Sequence, residues 1–120
     1  MHYYDWKGKP YTGTRKEQVL KWGKDFESKK HKIIKQQTLW WGGWVSTVWL
    51  GLDHQFGFGK PLIFESMIFF KSWSDLGMDR YSTRRGAFKG HRAMVRKWSN
   101  PLVFVPALMD RLIRRIRYGH

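Results

Sequence analysis

A Gly-Gly pair between two β-rich runs limits the possible folds of this chain more than any other feature. Gly42-Gly43 separates HKIIKQQT from WVSTVWLGL, and two such runs joined by glycines are typical of a β-hairpin. Both alternating faces of the second run are mostly apolar, which predicts a central strand covered on both sides. PLIFESMIFF is a third such run, with Glu65 as its only charged residue. These runs predict a small, largely antiparallel three-stranded sheet.

Two helices are predicted to pack on this sheet. Thr14 followed by Glu17 matches a capping box and begins an apolar pattern of helical period, so residues 14–28 are expected to form the first helix. KSWSDLGMD is interpreted as a turn-rich connection. After it, Ser82 or Thr83 is expected to cap a second helix that ends before Asn100-Pro101. The predicted inner face of this helix contains Ala87, His91, Met94, Val95 and Trp98.

The end of the chain predicts a third, basic helix. It is expected to begin near Pro106, a favourable first helical residue, and to continue through ALMDRLIRRIRY. Docking on the body, contact with nucleic acid or a partner groove, and binding to an anionic membrane remain alternatives for this helix, and a membrane is the least favoured. We predict an α+β protein with a compact domain at residues 1–98 and a basic amphipathic extension at residues 99–120.

Charge points to an anionic partner. The chain has 120 residues, and 23 Lys and Arg against nine Asp and Glu give a formal charge of +14. That balance favours partners such as nucleic acid, a nucleotide or an acidic protein. The chain has no cysteine, so it can form no disulfide or thiolate metal site. The five histidines lack metal-site spacing. We expect no metal, no cofactor, no secretion signal and no membrane span.

Three segments carry a family resemblance: YYDWKGKP, VSTVWLGLDHQFGFGKPLIFESMIFF and DRYSTRRGAFKGHRAMV. Over residues 3–95 the chain resembles a family of small uncharacterised proteins from tailed bacteriophages and prophages. The family pattern is YYD-x-x-G-x-P, VSTVWLGLDH, a glycine-rich turn, PLIFETMVF, and RYST followed by an acidic helix start and A-x-x-GH. The resemblance implies a phage origin, hence the host bacterial cytoplasm or the virion, and it implies no particular activity.

The chain departs from this family pattern at two places. Arg84, Arg85 and Gly86 stand where the pattern is acidic, and the chain continues for about 25 residues after the GH helix, whereas members of the family usually end soon after it. Both departures add positive charge. They favour an anion-directed role, and the predicted anion site at the start of the second helix consists of Arg80, Ser82, Thr83, Arg84 and Arg85. In the alternative arrangement, Arg80 pairs with Asp79 or Glu65 and the other arginines point into solvent.

Two further groups of residues are candidates for contact or chemistry. Nucleic acid or a protein partner is expected to contact exposed aromatic and arginine side chains, namely Trp40, Trp41, Arg111, Arg114, Arg115 and Arg117. For chemistry, His54 and His91 are weak candidates as general acid and base, with Glu65 nearby. Lone histidines and a carboxylate on an apolar strand are more often structural, so we expect binding rather than catalysis.

The function predicted from sequence is that of a phage-type accessory protein that binds an anionic partner without chemistry. A virion or assembly component, an inhibitor of an acidic host protein, and a metal-independent phosphodiester-cleaving enzyme are the alternatives. The oligomeric state is left open.

Overall fold

The fold is α+β and is built on an antiparallel sheet. A computed structural model describes residues 2–53 and 59–118. Over these residues the helices are α1 (Arg15–Glu27), α2 (Lys29–Lys32), α3 (Arg84–Trp98) and α4 (Pro101–Tyr118). The strands are β1 (Ile33–Thr38), β2 (Trp44–Trp49), β3 (Phe64–Phe70) and β4 (Trp73–Tyr81), in the spatial order β1-β2-β3-β4.

The starts of the first two predicted helices are confirmed. Thr14 caps α1, and its hydroxyl accepts a hydrogen bond from the backbone N–H of Glu17. Thr83, rather than Ser82, caps α3 in the same way through the N–H of Gly86. These bonds satisfy backbone donors that the first helical turn leaves free.

The prediction of three strands was wrong in one respect, because the segment interpreted as a connection is the edge strand β4. It pairs with β3 in an antiparallel register that places Phe64 opposite Tyr81 and Ile68 opposite Gly77. Gly77 has a packing reason, since a Cβ there would lie 3.0 Å from both Ile68 and the Trp98 ring. Glycine and charged residues weaken the strand pattern at a sheet edge, so pairing with β3 decides the structure.

The start of the last helix was also predicted wrongly. It begins at Pro101, and Pro106 lies inside it. The Asn100 side chain accepts a hydrogen bond from the N–H of Leu102, and its backbone carbonyl accepts from Val103 and Phe104. Asn100 therefore caps α4, and Pro101 occupies the first helical position, where a missing N–H costs nothing.

The core lies between one face of the sheet and α3. Its first cluster contains Phe104 of α4 together with residues of the sheet and α3, namely Leu39, Val45, Ile68, Met94 and Trp98. A second cluster contains Trp49, Ile63, Phe64 and Ala87, with Trp22 and Phe26 of α1 packed against it. The first half of α4 is thus part of the body. Near the N-terminus, the backbone N–H of Tyr4 donates a hydrogen bond to the carbonyl of Gly51, two residues after β2.

Candidate nucleic-acid interface

The outer side of α3 is a continuous row of cations. The row has the spacing four, three and four, which places its members on one face of a helix. All of them are exposed, and they lie opposite the buried residues Ala87, His91, Met94 and Trp98. We call this row the α3 basic stripe, and it consists of Arg85, Lys89, Arg92 and Arg96.

Within the described part of the chain, the cations of the α3 basic stripe lack ion-pair partners. Helix α3 contains no acidic residue, and within residues 2–53 and 59–118 no hydrogen bond or ion pair engages these four side chains. Like charges one turn apart destabilise a helix by about 0.2–0.5 kcal/mol per pair. The stripe extends over eleven residue steps, or about 16 Å of helix axis. It therefore presents unpaired positive charge along a rigid element.

A groove lies beside the stripe, between α3 and the edge strand β4. Its volume is about 420 Å³, and three of its lining residues are cations of the stripe. The lining consists of Tyr81, Gly86, Lys89, Gly90, Arg92, Ala93 and Arg96.

Small residues of α3 make this groove possible. A Cβ on Gly90 would lie only 2.1 Å from the ring of Tyr81, so glycine leaves the space that the tyrosine ring occupies beside the helix. The Tyr81 hydroxyl is buried and has no hydrogen-bond partner among the described residues. Burial raises the pKa of this phenol, and the neighbouring Ser66 hydroxyl offsets only part of the rise. Tyr81 therefore contributes to the wall of the groove while its hydroxyl is buried.

One large aromatic side chain is exposed where α3 ends. Trp40 has 71% of its surface accessible, although its indole N–H donates to the carbonyl of Ser99 at 2.8 Å. The ring also packs edge-on against Phe104. Arg96, the last cation of the stripe, lies three residues before Ser99 in the chain. Trp40 is thus an anchored and accessible ring near the C-terminal end of the stripe.

Trp41, the other tryptophan predicted to contact a partner, is largely engaged in packing. Its ring stacks on Phe104 at a centroid distance of 4.6 Å, and its indole N–H donates to the carbonyl of Trp98 at 2.7 Å. It is half-buried. Of these two residues, only Trp40 offers a free ring face to solvent.

Most members of the predicted anion site have structural partners. Arg80 forms an ion pair with Glu65 at 3.0 Å, as in the alternative arrangement, and the Thr83 hydroxyl caps α3. Arg84 donates to the carbonyl of Trp6 and lies over the ring of Phe88.

Of the remaining two members, Ser82 is half-buried, whereas Arg85 is exposed and belongs to the α3 basic stripe. The five residues therefore do not converge on one ligand position, because Arg80, Thr83 and Arg84 are engaged by partners within the protein.

The arginines of α4 differ in their availability. Arg114 pairs with Asp110 at 3.2 Å one turn earlier, and Arg111 is partly buried. Arg115 and Arg117 are exposed, without an ion pair among the described residues. They add two accessible cations outside α3.

Of the candidate catalytic residues, His54 lies outside the described residues. The other two, His91 and Glu65, do not lie together. His91 is fully buried, and burial lowers its pKa, as does the charge of Lys35. Glu65 lies on the other face of the sheet, because it neighbours Ser66, which shares the inner face with His91.

His91 belongs to a buried polar cluster beneath α3. The hydroxyl of Thr47 lies 2.5 Å from the Ser66 hydroxyl and 2.7 Å from Nδ1 of His91, and Nε2 of His91 has no partner among the described residues. A hydroxyl beside an imidazole is the arrangement of an activated nucleophile, but all three side chains are closed to solvent. The cluster therefore connects the sheet to α3 and has no access to a substrate.

The α3 basic stripe was missed by the sequence-based prediction, although its spacing is written in the sequence. The predicted inner face of this helix rests on its apolar residues, and the predicted anion site includes cations only from the start of the helix. Applying the helical period to the cations as well as to the apolar residues would have found the row.

Neither a metal cluster nor a membrane-crossing helix is present over residues 2–53 and 59–118. In this part of the chain, no three His, Asp or Glu side chains are grouped so as to hold a metal ion. No helix there combines the length and apolar content needed to cross a bilayer. Comparison with protein-family models, with curated proteins and with solved structures finds no match to this chain.

Proposed function

We propose that this protein binds single-stranded nucleic acid without chemistry, as an accessory protein of the phage type. The α3 basic stripe is the observation that carries the proposal. Four exposed cations on one face of a helix, with no acidic partner among the residues that the structure describes, match the way proteins follow a phosphate backbone.

The dimensions of the stripe agree with a nucleic-acid strand. About 16 Å of helix axis corresponds to roughly five nucleotides of a strand that keeps the stacked rise of 3.4 Å per nucleotide found in duplex DNA. The adjoining groove gives the strand a concave path bordered by Lys89, Arg92 and Arg96. Contacts of this kind are made to phosphates, so we expect binding with little sequence preference.

Trp40 is the reason to favour a single strand over a duplex. Bases of a single strand are free to stack on an exposed aromatic ring, and one such contact contributes about 1–3 kcal/mol. Bases inside a duplex are not accessible in this way. With Trp40 near the C-terminal end of the stripe, a bound strand can place its phosphates on α3 and one base on the indole.

A structural role in virion assembly is the second candidate, and one observation favours it. Helix α4 exposes several large apolar side chains, among them Leu102 at 84% and Ile116 at 76%. Exposed apolar surface of this kind marks contacts with other proteins. In that role the arginine-bearing surfaces would face packaged DNA.

Fluorescence anisotropy with a labelled oligothymidylate of 20 nucleotides tests the proposal. The wild-type protein is compared with a stripe variant that carries R85Q, K89Q, R92Q and R96Q. A control variant with the same loss of charge carries four substitutions on exposed residues of α1 and α2: R15Q, K16Q, K24Q and K30Q. We expect the stripe variant to bind at least about a hundred-fold more weakly than the wild type and the control to change far less. An equal loss of affinity in the stripe variant and in the control variant would show that net charge alone determines binding, and it would contradict the proposed site.

Two Trp40 variants separate stacking from packing. Trp40→Phe keeps an aromatic face and removes the indole N–H, whereas Trp40→Leu removes the face as well. We expect Trp40→Leu to weaken single-strand binding by about ten-fold and Trp40→Phe to weaken it less, with little effect of either on a duplex of equal length. If the Trp40 substitutions changed the binding of single strand and of duplex equally, base stacking would be ruled out, and contacts would be limited to the nucleic-acid backbone.

A further inference from the structure

Helix α4 has an exposed apolar row on the side that faces away from the body. Five of its residues follow one another at spacings of three, four, three and four, which is the a/d pattern of a helix-helix seam. Ile113 lies beside them. We call these six residues the α4 apolar stripe: Leu102, Val105, Met109, Leu112, Ile113 and Ile116.

The α4 apolar stripe has no partner within the described part of the chain. Its side chains are between 45% and 84% exposed. The opposite side of α4 supplies the contacts with the body, through buried Phe104 and through Val103, Ala107 and Leu108. Packing of α4 on the body, the first alternative raised by the sequence, therefore uses a different side of the helix and leaves the stripe open.

We infer that the α4 apolar stripe pairs with the same stripe of a second copy, in antiparallel orientation about a two-fold axis at Met109. An antiparallel pair centred there places Leu102 opposite Ile116 of the second copy and Met109 opposite Met109. Such an interface is closed, because the same surface serves both copies. The inference does not depend on nucleic-acid binding.

The charge distribution of α4 selects this orientation. Residues 101–109 carry no charge, whereas residues 110–117 carry four arginines and Asp110. In a parallel pair the cationic halves would lie side by side and repel. In the antiparallel pair each cationic half lies against the uncharged half of the other copy. The seam remains apolar, and its arginines stay available to solvent.

The size of the stripe sets the expected strength. Interfaces of standard size use about 20–30 residues and about 800 Å² per partner. Six side chains per copy make a smaller contact, between molecules that each carry a charge of +14. We therefore expect a weak dimer whose dissociation constant decreases as salt is added, because salt screens the repulsion between the copies.

Single cysteines test the orientation directly, because the chain contains none of its own. Met109→Cys is expected to form a disulfide dimer under mild oxidation, since the two copies of residue 109 meet at the axis. Leu102→Cys alone is expected to remain unlinked, because two copies of residue 102 would be about 21 Å apart. A mixture of Leu102→Cys with Ile116→Cys is expected to cross-link. Cross-linking of Leu102→Cys to itself would overturn the antiparallel arrangement.

Sedimentation equilibrium of nuclease-treated protein tests the association itself. We expect a mass that rises with concentration from 14.5 kDa towards twice that value, and more readily in 0.5 M than in 0.1 M NaCl. Met109→Glu is expected to weaken the dimer roughly a hundred-fold, because it places two like charges at the axis. Leu20→Glu, on an exposed residue of α1, is the control and is expected to change nothing.

Three outcomes would overturn the inference. The first is a monomer at all concentrations, and the second is a dimer that Met109→Glu leaves intact. The third is a monomer that co-sediments with phosphatidylglycerol vesicles only when the stripe is intact, which would assign the stripe to an anionic lipid surface. In each case the anisotropy experiment on the α3 basic stripe still gives its own answer, so failure of the dimer and failure of nucleic-acid binding are distinguishable.

Discussion

Replacing Gly90 with alanine tests whether α3 and β4 approach each other as closely as the groove requires. In an unobstructed helix interior this change stabilises a protein by about 0.5–1 kcal/mol. Here the new Cβ would lie 2.1 Å from the Tyr81 ring, and relieving such a clash in packed surroundings costs about 1–3 kcal/mol. The net expectation is a decrease of about 1 kcal/mol in the free energy of unfolding. Urea denaturation followed by tryptophan fluorescence measures it.

The same chain contains a matched control for this prediction. Gly23 also lies inside a helix, and a Cβ there would meet nothing within 4 Å. We expect Gly23→Ala to raise the free energy of unfolding by about 0.5–1 kcal/mol. In a Tyr81→Ala background Gly90→Ala should become stabilising as well, because the clashing ring is gone. If Gly90→Ala stabilised the wild-type protein, the close approach of α3 and β4 would be refuted.

Two further predictions concern the buried imidazole of His91 and the ion pair between Arg80 and Glu65. Burial lowers the pKa of His91. As the pH falls, this imidazole is therefore protonated in the unfolded chain before it is protonated in the folded protein. The free energy of unfolding should be constant above about pH 6.5 and should decrease by at most about 1.4 kcal/mol per pH unit below it. His91→Asn should remove this component between pH 7.5 and 5.5, and an unchanged pH dependence would contradict it. Arg80→Gln leaves the largely buried carboxylate of Glu65 without its ion partner and should cost about 2 kcal/mol in urea denaturation. Glu65→Gln should cost less, and the reverse order would speak against the pair.

Elements with local signals could be predicted from the sequence. The caps at Thr14 and Thr83 are short-range patterns that require only a hydroxyl three residues before a free backbone donor. The edge strand β4 has no such signal. Its residues are extended because β3 pairs with them, and Gly77 is tolerated because the Trp98 ring needs the space. Pairing of this kind depends on the tertiary structure and cannot be seen in a local window.

The candidate site could be predicted in part, because its spacing is a local pattern whereas its ion pairing depends on the tertiary structure. The spacing of Arg85, Lys89, Arg92 and Arg96 is a helical period, and it can be counted in the sequence once α3 is assigned. Whether these four cations find ion-pair partners depends instead on which carboxylates lie near them in the folded protein. The β3–β4 register places Glu65 opposite Arg80, and the two form an ion pair. The exposure of Trp40 beside half-buried Trp41 likewise depends on where α4 begins, because Phe104 packs against both rings.

The salt dependence of nucleic-acid binding tests the central claim most directly. For a single strand, the logarithm of the association constant falls with the logarithm of salt by about 0.7 per phosphate contact. Four contacts by the α3 basic stripe predict a slope of about −2.8, or a loss of about fifty-fold between 50 and 200 mM salt. The stripe variant should lose most of this slope, and the α1 and α2 control should keep it. A stripe variant with the wild-type slope, or binding that salt does not weaken, would contradict the account.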